Sequence, residues 1–531
     1  MEVKLVSDRT DLMLGDLARQ LEGAPGAGVL ELRGRSVPIS SVTIDSRKAG
    51  TGALFVAVQG ENAHGASYAE AALSQGCAAI LTDEAGAAIV NDAHPGGDYS
   101  VLVCEDPRAL AGFAANLVYR EPSHAIPLIG VTGTNGKTSV TTMCARTLQE
   151  LGESAGIVGT NGTFLAWAGG REEQIPTERT TPEATDVHAL MRHMVDEGMT
   201  CAALEVSSHA MVLHRVAAVQ FEVAVFTNLS QDHLDFHKDM EEYFEAKASL
   251  FTPAHTKRGI VCVDDEWGRR LAADASVPVT TYSAKGHEAD FTVGEIRRGE
   301  YGTVFTVQPS EGEPFTLESA LPGTHYVANT LAVALVLRAL GFEGEAVRRA
   351  LAVAGTVPGR MERVVESDAC PRVVVDYSHT PDALEQALET LHTLEGVGKI
   401  VTVFGAGGHR DSLKRPIMGE IAARLSDRVF VTDDNPRDED PASIRRDVLA
   451  GIPSTCRADV ENVGDRAEAI ARAIGEADAR DVVLIAGKGA ESGQVLADRT
   501  IEFDDRVHAR TALAAWQCAH KADLTTEVRD A

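Results

Sequence analysis

The sequence predicts an α/β protein of three domains, in which a smaller mixed domain precedes two doubly wound sheets. Three observations support this fold class. The chain has 531 residues, more than a single hydrophobic core organises. Short apolar runs typical of buried parallel strands alternate with helical stretches through its second and third parts. A segment with two prolines, residues 121–127, reads as a linker between the first part and the second.

The linker marks the predicted boundary between the first domain and the second. The first domain is predicted over residues 1–122, the second over 123–357 and the third over 358–531. In the first domain an apolar strand-like run is followed by a helical stretch and a second apolar run, namely Leu54–Val58, Tyr68–Gln75 and Ala78–Leu81.

Eight apolar runs are predicted as buried strands of the two larger sheets. The first of them leads into a glycine-rich turn and then a helix over Thr138–Leu151, with Gly152 as a C-cap. Ligands in such sheets bind beyond the carboxyl ends of the strands, where most polar motifs of this chain fall. The predicted strands are Leu128–Val131, Cys201–Val206, Val223–Thr227, Gly259–Val263, Arg372–Asp376, Lys399–Phe404, Arg428–Thr432 and Asp481–Ala486.

The charge composition of the chain excludes some classes of binding partner. A formal net charge of -29 repels nucleic-acid phosphates and anionic membranes, whereas 49 Lys and Arg suffice for a local anion pocket. Glu2, Asp8 and Asp11 interrupt any apolar run at the N-terminus, so neither a signal peptide nor an anchor is expected. The eight cysteines are scattered without a CxxC pair, which indicates reduced, mostly buried thiols in a cytoplasmic protein.

The strongest motif is GVTGTNGKTS at residues 130–139, between a predicted strand and a predicted helix. Glycines let backbone N–H groups surround phosphate oxygens, and the helix N-terminus adds a positive end. Lys137 can reach the β- and γ-phosphates, and the Thr138 hydroxyl can ligate Mg²⁺. A turn that binds nothing is the simpler alternative, which the GKT sequence makes improbable. Val131 stands where the common spacing has glycine, so GTPase and motor families fit less well.

The GTNGKTS form resembles the Mur ligases and the related folylpolyglutamate synthetases. Two further segments, DYSHTPDA at 376–383 and GTHYVAN at 323–329, are similar to nucleotide motifs of the Mur ligases. Tyr326 replaces an asparagine that helps hold adenine in relatives, and its ring could stack instead. The resemblance implies that ATP contacts Gly133, Thr134, Asn135, Gly136, Lys137, Thr138, Ser139, Asn329, Asp376 and His379.

Two strand-end motifs, EVSSH at 205–209 and NLSQDHLD at 228–235, resemble the metal motifs of the family. The resemblance implies that Thr138, Glu205 and His233 hold Mg²⁺, with Lys247 as a CO₂-derived carbamate ligand. Read alone, Glu205 would be a solvated or capping residue, His233 a hydrogen-bonded structural one and Lys247 an exposed helix lysine. Lys137, Lys247 and His233 are the implied catalytic residues.

The resemblance also implies substrate contacts in all three domains. Residues 43–47, TIDSR, resemble the uridine-binding part of the first domain, although the triplet alone reads as a turn. The residues implied to bind the UDP-linked substrate are Ser46, Thr180, Thr181, Ser207 and Arg215.

The third domain carries DDNPRD at 433–438, whose Asp-Asn-Pro-Arg quartet resembles the signature of diaminopimelate-adding members. Diaminopimelate differs from lysine by a second carboxylate, which an arginine binds with two parallel hydrogen bonds. A surface arginine after a turn is the alternative for Arg437. Ala490 stands where the family often has histidine. The implied amino-acid contacts are Arg410, Asp434, Asn435, Pro436, Arg437, Gly487 and Glu491.

Together these motifs imply an ATP-dependent amide-bond ligase of peptidoglycan precursor synthesis. It would add meso-diaminopimelate to UDP-N-acetylmuramoyl-L-alanyl-D-glutamate through an acyl phosphate, in the cytoplasm and as a monomer. Three alternatives remain: a lysine- or ornithine-adding ligase of the family, a folylpolyglutamate synthetase, and a non-catalytic nucleotide-binding regulator. The second should lack the first domain, and the third has little need of the full metal set.

Overall fold

The computed structural model describes residues 12–60, 62–177, 179–298, 302–354, 357–365, 367 and 369–520. Glu2, Asp8 and Asp11, used above to argue against a leader, lie outside the described residues, as does the polar tail after residue 520. Within the described ranges the strands form three separate large sheets and one small hairpin.

The first sheet has five strands in the order β1-β5-β4-β3-β2, parallel except for the edge strand β1. Aliphatic side chains fill both of its faces, so helices cover it on two sides. Its elements are α1 Leu14–Gln20, β1 Glu31–Arg33, β2 Ser41–Thr43, β3 Ala53–Ala57, α2 Ala69–Ser74, β4 Ala79–Thr82, α3 Glu84–Ala93, β5 Val101–Val103 and α4 Pro107–Val118.

The segment that was read as a linker contains a short helix, α5 (Pro122–Ala125). Pro122 occupies the first turn, where its missing N–H costs nothing, and Glu121 before it has a left-handed backbone. The chain then enters the second sheet directly at Leu128.

The second sheet has eleven strands in the order β16-β15-β14-β13-β12-β11-β6-β10-β7-β8-β9. Its elements are β6 Leu128–Thr132, α6 Lys137–Glu150, β7 Ala155–Gly159, β8 Gly162–Ala166, β9 Glu172–Ile175, α7 Ala184–Asp196, β10 Cys201–Glu205, α8 Ser208–Val212, β11 Val223–Phe226, α9 Met240–Ala248, β12 Gly259–Cys262, α10 Glu266–Asp274, β13 Val279–Ser283, β14 Phe291–Arg298, β15 Thr303–Pro309, β16 Phe315–Ser319, α11 Thr324–Ala339 and α12 Glu345–Val353.

The expectation of a parallel sheet holds for the middle of this sheet and not for its edges. Strands β8 and β9 on one side, and β15 and β16 on the other, are antiparallel. These strands are not continuous apolar runs. Buried and half-buried residues alternate along β15, and β9 has the sequence EEQI. Neither strand therefore shows the continuous apolar pattern that predicts a buried parallel strand.

The third sheet has six strands in the order β17-β18-β22-β19-β20-β21, parallel except for β17. Its two faces pack against separate apolar clusters, as in a doubly wound sheet. The elements of this part of the chain are β17 Glu362–Arg363, β18 Arg372–Asp376, α13 Pro381–His392, β19 Ile400–Phe404, α14 Lys414–Leu425, β20 Arg428–Val431, α15 Pro441–Ala450, β21 Asp459–Asn462, α16 Arg466–Gly475, β22 Val482–Ala486 and α17 Asp505–Ala519, together with the separate hairpin of β23 Gly493–Val495 and β24 Thr500–Glu502.

All eight cysteines lie in the described part of the chain as free thiols, and six of them are buried, as expected from their spacing. Among the described residues, no helix combines the length and apolarity needed to cross a bilayer.

Candidate active site

A cleft of about 1210 Å³ opens between the second and third sheets. One wall is the turn after β6 with the carboxyl ends of β10 and β11. The other wall is formed by segments that follow β18, β19, β20 and β22. The cleft therefore lies at the carboxyl ends of parallel strands from both sheets, the position at which such folds bind ligands.

The glycine-rich turn is held against β11 by a close backbone approach. Gly133 has φ +141°, and a Cβ there would lie 2.0 Å from Thr227 Oγ1. Thr227 Oγ1 also donates to the Asn135 carbonyl at 2.6 Å. Only glycine fits this position, so the strand pairing sets the shape of the turn.

Lys137 at the start of α6 folds back onto this turn. Its ammonium donates to the Gly133 and Thr134 carbonyls at 3.0 and 2.9 Å. Burial lowers the pKa of Lys137, while the nearby Glu205 and Asp232 carboxylates act to raise it. The ammonium thus sits at the mouth of the turn, where a bound phosphate would offer better acceptors than two carbonyls.

Glu205 ends β10 and is buried at the cleft wall. Its Oε1 accepts from the Thr160 N–H at 2.9 Å and its Oε2 from the Thr160 hydroxyl at 3.0 Å. Each oxygen has a second lone pair, so the carboxylate is fixed in direction and can still coordinate a cation.

His233 lines the cleft in a left-handed backbone conformation, with φ 57°. Burial lowers the pKa of His233 to about 3, and the Asp232 carboxylate only partly offsets this effect. The imidazole is therefore neutral at neutral pH, the form in which a ring nitrogen can ligate a metal.

Lys247 on α9 is only 1% exposed, so the simple interpretation as a surface helix lysine is wrong. Its ammonium donates to the Gly133 carbonyl at 2.9 Å and lies 4.6 Å from the centre of the Tyr243 ring. Burial, together with the charge of Lys137, holds the pKa of Lys247 well below its usual value. Lys247 is thus a buried amine directed at the phosphate turn.

Asp232 was overlooked as an individual residue, although it lies inside the quoted NLSQDHLD motif. It is buried, and its Oδ1 lies 3.3 Å from Lys414 Nζ of the third domain. Although burial raises its pKa, Lys414 and the neighbouring histidines His379 and His233 hold that pKa well below the usual value. No local pattern marks this pairing, because Lys414 is 182 residues away along the chain.

The Thr180–Glu183 segment and Arg215 meet at another part of the cleft. Arg215 donates to the Thr181 carbonyl at 3.3 Å and pairs with Glu183 at 3.0 Å. The Thr181 hydroxyl donates to the Glu205 carbonyl at 2.7 Å and accepts from the Ser207 N–H at 3.1 Å. The predicted Thr181, Ser207 and Arg215 are thus joined in one hydrogen-bonded unit.

Glu183 anchors this unit to the first domain. Besides Arg215, Arg179 and Arg108 lie 2.9 and 3.4 Å from its carboxylate. Three cations share one carboxylate, which leaves a local excess of positive charge on a strongly acidic protein. Glu183 lies in the Thr180–Glu183 segment that the family resemblance relates to substrate binding, but its pairing with Arg108 and Arg215 joins segments far apart in the sequence.

Arg437 and Arg410 meet at the third-domain side. Arg437 has φ 54° and donates to the Gly408 carbonyl at 2.7 Å. A Cβ on Gly407 would lie 3.2 Å from Arg437 Nη1 and 3.6 Å from Arg410 Cγ, so both arginines border one small space. Among the described residues no carboxylate lies within 4.0 Å of the Arg437 guanidinium, and burial with the Arg410 charge lowers its pKa.

Glu491 lines the same cleft as these arginines. Its Oε2 accepts from Asn435 Nδ2 at 3.0 Å and from Lys488 Nζ at 3.2 Å. An unpaired guanidinium and a carboxylate therefore face one space, which suits a ligand that carries both a carboxylate and an ammonium.

At the far end of the cleft, Asn329 on α11 approaches the phosphate turn, with its Oδ1 2.8 Å from where a Gly136 Cβ would be. Asp376 is held by the Met361 N–H at 2.7 Å and by Ser378. Tyr326 is buried among apolar side chains of the third domain, so little of its ring is available for the stacking considered above.

Most of the predicted site residues line this one cleft. Gly133 lies just behind it, in the turn. Pro436 is in the Asn435–Arg437 loop but not among the lining residues. Ser46 lies elsewhere, in a 3₁₀ turn of the first domain, where its carbonyl accepts from Gln75 Nε2 at 2.9 Å.

The donor set fits Mg²⁺ better than a soft metal. Among the described residues no three His, Cys, Asp or Glu side chains converge as a metal cage. Mg²⁺ usually keeps several waters and takes one or two carboxylates plus substrate phosphates. A single buried carboxylate, Glu205, beside the phosphate turn meets that requirement.

Comparisons with known proteins cover nearly the whole chain. Residues 38–115 match the Mur ligase family catalytic domain, 131–337 the Mur ligase middle domain and 359–489 the Mur ligase glutamate ligase domain. UDP-N-acetylmuramoyl-L-alanyl-D-glutamate--2,6-diaminopimelate ligase of Streptomyces coelicolor is 43% identical, over 95% of this chain and 97% of its own. The enzyme of the same name from Corynebacterium glutamicum is 43% identical over 98% and 99%.

Solved structures extend the comparison. A structure of UDP-N-acetylmuramoyl-L-alanyl-D-glutamate--2,6-diaminopimelate ligase is 32% identical with a TM-score of 0.61, covering 90% of this chain and 95% of its own. Folylpolyglutamate synthase of Mycobacterium tuberculosis, complexed with ADP and AMPPCP, is 20% identical with a TM-score of 0.57 and covers 71% of this chain and 91% of its own, a likeness of fold alone. Three domain matches and near-full-length relatives lead to one conclusion: the chain belongs to the Mur ligase family.

Proposed function

We propose that this protein is the ATP-dependent ligase that joins meso-diaminopimelate to UDP-N-acetylmuramoyl-L-alanyl-D-glutamate. The observation that carries the proposal is the cleft itself. A phosphate turn, the buried Glu205, the half-buried Lys137 and the buried Lys247 lie at one end. Glu491 and an Arg437 guanidinium that has no carboxylate within 4.0 Å among the described residues line the other. The names of the relatives at 43% identity support the same substrates.

The reaction would proceed in two steps. The γ-carboxylate of the D-glutamyl residue attacks the γ-phosphorus of ATP, the bond to the β,γ-bridging oxygen breaks, and ADP leaves with the electron pair. The amine of diaminopimelate then attacks the acyl carbon. An amide bond forms, inorganic phosphate departs and the amine loses a proton. Lys137 and the N–H groups of the turn stabilise the charge that builds on the transferred phosphoryl oxygens.

Lys247 would enter this scheme as a carbamate. Its low pKa supplies a neutral amine, whose lone pair adds to CO₂ and releases a proton. The product is an anion next to the Lys137 ammonium, so an attractive pair forms where a second ammonium would be repelled. The residues that would hold Mg²⁺ are Glu205, His233, Thr138 and this carbamate, and the ion would neutralise phosphoryl charge during transfer.

Specificity would reside in the third domain. Arg437, with Arg410, would hold the distal carboxylate of diaminopimelate. Glu491 would hold the distal ammonium. Lysine lacks that carboxylate, so it would leave the Arg437 guanidinium desolvated and unmatched. Ornithine would do the same. A non-catalytic regulator has no use for a buried lysine at the phosphate turn.

The protein would act in the cytoplasm as a monomer, where the UDP-linked precursor, ATP and the free amino acid are its small-molecule partners. Ser46 would reach the uridine only if the substrate extends beyond the central cleft to the first domain. The excess positive charge around Glu183 suits a substrate with phosphates and carboxylates along that path.

The test is product formation by the purified protein. ATP, Mg²⁺ and the UDP-linked dipeptide are supplied with meso-diaminopimelate, LL-diaminopimelate, L-lysine, L-ornithine or no amine. Phosphate release and product mass are measured. Turnover only with the meso isomer is expected. Turnover with lysine or ornithine would retain the ligase and overturn the proposed specificity, and no turnover with any amine would favour a regulator.

A further inference from the structure

Lys488 is a buried cation behind the amino-acid end of the cleft. It is 0% exposed, directly follows the predicted contact Gly487, and does not line the cleft. Taking an ammonium out of water is costly unless acceptors compensate it. Every acceptor of Lys488 among the described residues belongs to the segments that were predicted to hold the amino acid.

Three acceptors surround this ammonium. Asn435 Oδ1 lies at 3.0 Å, Glu491 Oε2 at 3.2 Å and Asp434 Oδ1 at 3.7 Å. One lysine thus joins the Asp434–Arg437 loop to the loop that carries Glu491. These loops follow β20 and β22, two strands that are not neighbours in the sheet, since β19 lies between them.

Lys488 and the Val495 N–H together fix the orientation of the Asn435 amide. Asn435 Oδ1 accepts from both Lys488 Nζ and the Val495 N–H, at 3.0 Å each. With its oxygen occupied by two donors, the amide must present Nδ2 to Glu491, where the distance to Oε2 is 3.0 Å. The opposite orientation would set two acceptors against each other.

Lys488, together with the amide that it helps to orient, fixes the Glu491 carboxylate. Both of its hydrogen bonds within the described residues reach Oε2, from Asn435 and Lys488. Glu491 lines the cleft with a side chain that is 34% exposed. Its Oε1 is therefore left to accept from a ligand, in a direction set from behind by Lys488.

We infer that Lys488 is a positioning residue for amino-acid selection: it orients Glu491 and Asn435 so that Glu491 Oε1 receives the ammonium of the incoming amino acid. This inference rests on the proposed function. It concerns the amine-binding step alone, since Lys488 has no contact with the phosphate turn or the residues around Glu183.

The test compares wild type with Lys488→Met, Lys488→Gln, Glu491→Gln and the double variant Lys488→Met/Glu491→Gln. KM and kcat are measured for diaminopimelate, ATP and the UDP-linked dipeptide. For Lys488→Met, KM for diaminopimelate is expected to rise at least about tenfold, with KM for ATP changed less than about twofold. The double variant should be no worse than about the poorer single variant, because both changes disrupt one ion-bridged unit.

Lys488→Gln keeps a hydrogen-bond donor, and it replaces Lys488→Met as the test variant if Lys488→Met does not fold. It should fall between wild type and Lys488→Met in KM for diaminopimelate. Equal losses for all three substrates, or independent effects that multiply in the double variant, would overturn the inference and leave Lys488 a purely structural cation. Failure of the proposed function appears separately, as absence of diaminopimelate turnover in the wild type.

Discussion

At the scale of single residues, burial decides what each lysine of the site can do. Lys247, Lys414 and Lys488 are buried and Lys137 is half-buried, and each faces a different set of acceptors. Among the described residues, Lys247 donates to one backbone carbonyl and lies over an aromatic ring, and the Asp232 carboxylate only partly offsets its burial. An amine in that environment favours its neutral form and can be converted to an anion.

Replacement of Lys247 by alanine is expected to lower kcat about 100-fold or more, because the negative ligand next to Lys137 is lost. A short carboxylic acid such as acetate should restore part of the activity, since it can occupy the space of the missing carbamate. Phosphate release is measured with and without the acid. Lys257→Ala, at an exposed lysine paired with Glu222, is the matched control and should behave like wild type.

A Lys247→Ala variant with full activity would remove the carbamate from the mechanism. So would a ¹³C-NMR spectrum of the wild type in ¹³CO₂ that lacks a carbamate signal.

At the scale of elements, the turn between β6 and α6 is shaped by β11. Gly133 leaves no room for a side chain against Thr227. Gly152, at the other end of α6, has φ +87° but no atom within 4 Å of a built Cβ. A substitution at Gly133 therefore tests the effect of a steric clash, whereas a substitution at Gly152 tests the effect of backbone strain alone.

Gly133→Ala is expected to displace the turn and weaken ATP binding about 100-fold, because phosphate-binding groups are misplaced by about an ångström. Gly152→Ala should bind ATP like wild type and lose only about 1 kcal/mol of stability. Calorimetric titration with ATP and thermal unfolding measure the two effects. Equal affinity in both variants would contradict a turn held in place by β11.

At this scale, the sequence predicts an element well where residues close together in the chain determine it. The phosphate turn, its strand and α6 were predicted within one or two residues, because glycine spacing and apolar periodicity are local signals. The antiparallel edges of the second sheet were missed, since their half-buried strands carry mixed composition. Glu183, Asp232 and Lys488 each also have a partner far along the chain, which no motif specifies.

At the scale of the whole molecule, Asp232 and Lys414 connect the second and third domains. Their side chains are 6% and 7% exposed, and nearby Asn135 donates to Asp382 of the third domain at 3.1 Å. A buried pair across a domain boundary makes the closed arrangement depend on both partners.

Lys414→Met should shift the protein toward an open arrangement. Closure would bury the Asp232 carboxylate without its strongest partner, at a cost of about 3–5 kcal/mol. Small-angle scattering with ATP analogue and dipeptide should show compaction for wild type and for Lys399→Met, an exposed lysine of the same domain, and less for Lys414→Met. Equal compaction in all three would show that this pair does not control closure.

Overall stability should fall in mild acid because of a buried histidine. His188 is fully buried, its Nε2 donates to the Ala217 carbonyl at 2.9 Å, and burial lowers its pKa to about 4. Between pH 6.5 and 4 the unfolded chain binds a proton that the folded protein does not, so the free energy of unfolding falls as pH falls. The expected contribution of His188 to the loss is about 2 kcal/mol at pH 5, and His233, whose pKa is also lowered, adds to it.

Urea unfolding at pH 7 and pH 5 measures this loss. His188→Gln keeps a donor for the Ala217 carbonyl but does not titrate, so it should lose about 2 kcal/mol less than wild type over the same interval. An identical loss in both proteins would assign the acid sensitivity to other groups.

The most direct test of the central claim is the ratio of kcat/KM for meso-diaminopimelate to that for L-lysine, measured in wild type, Arg437→Ala and Arg446→Ala. Arg446 is an exposed arginine on α15 and serves as the matched control. Wild type and the control should favour diaminopimelate at least about 100-fold. Arg437→Ala should bring the ratio close to one by loss of activity with diaminopimelate. An unchanged ratio in Arg437→Ala would contradict selection of the second carboxylate by Arg437.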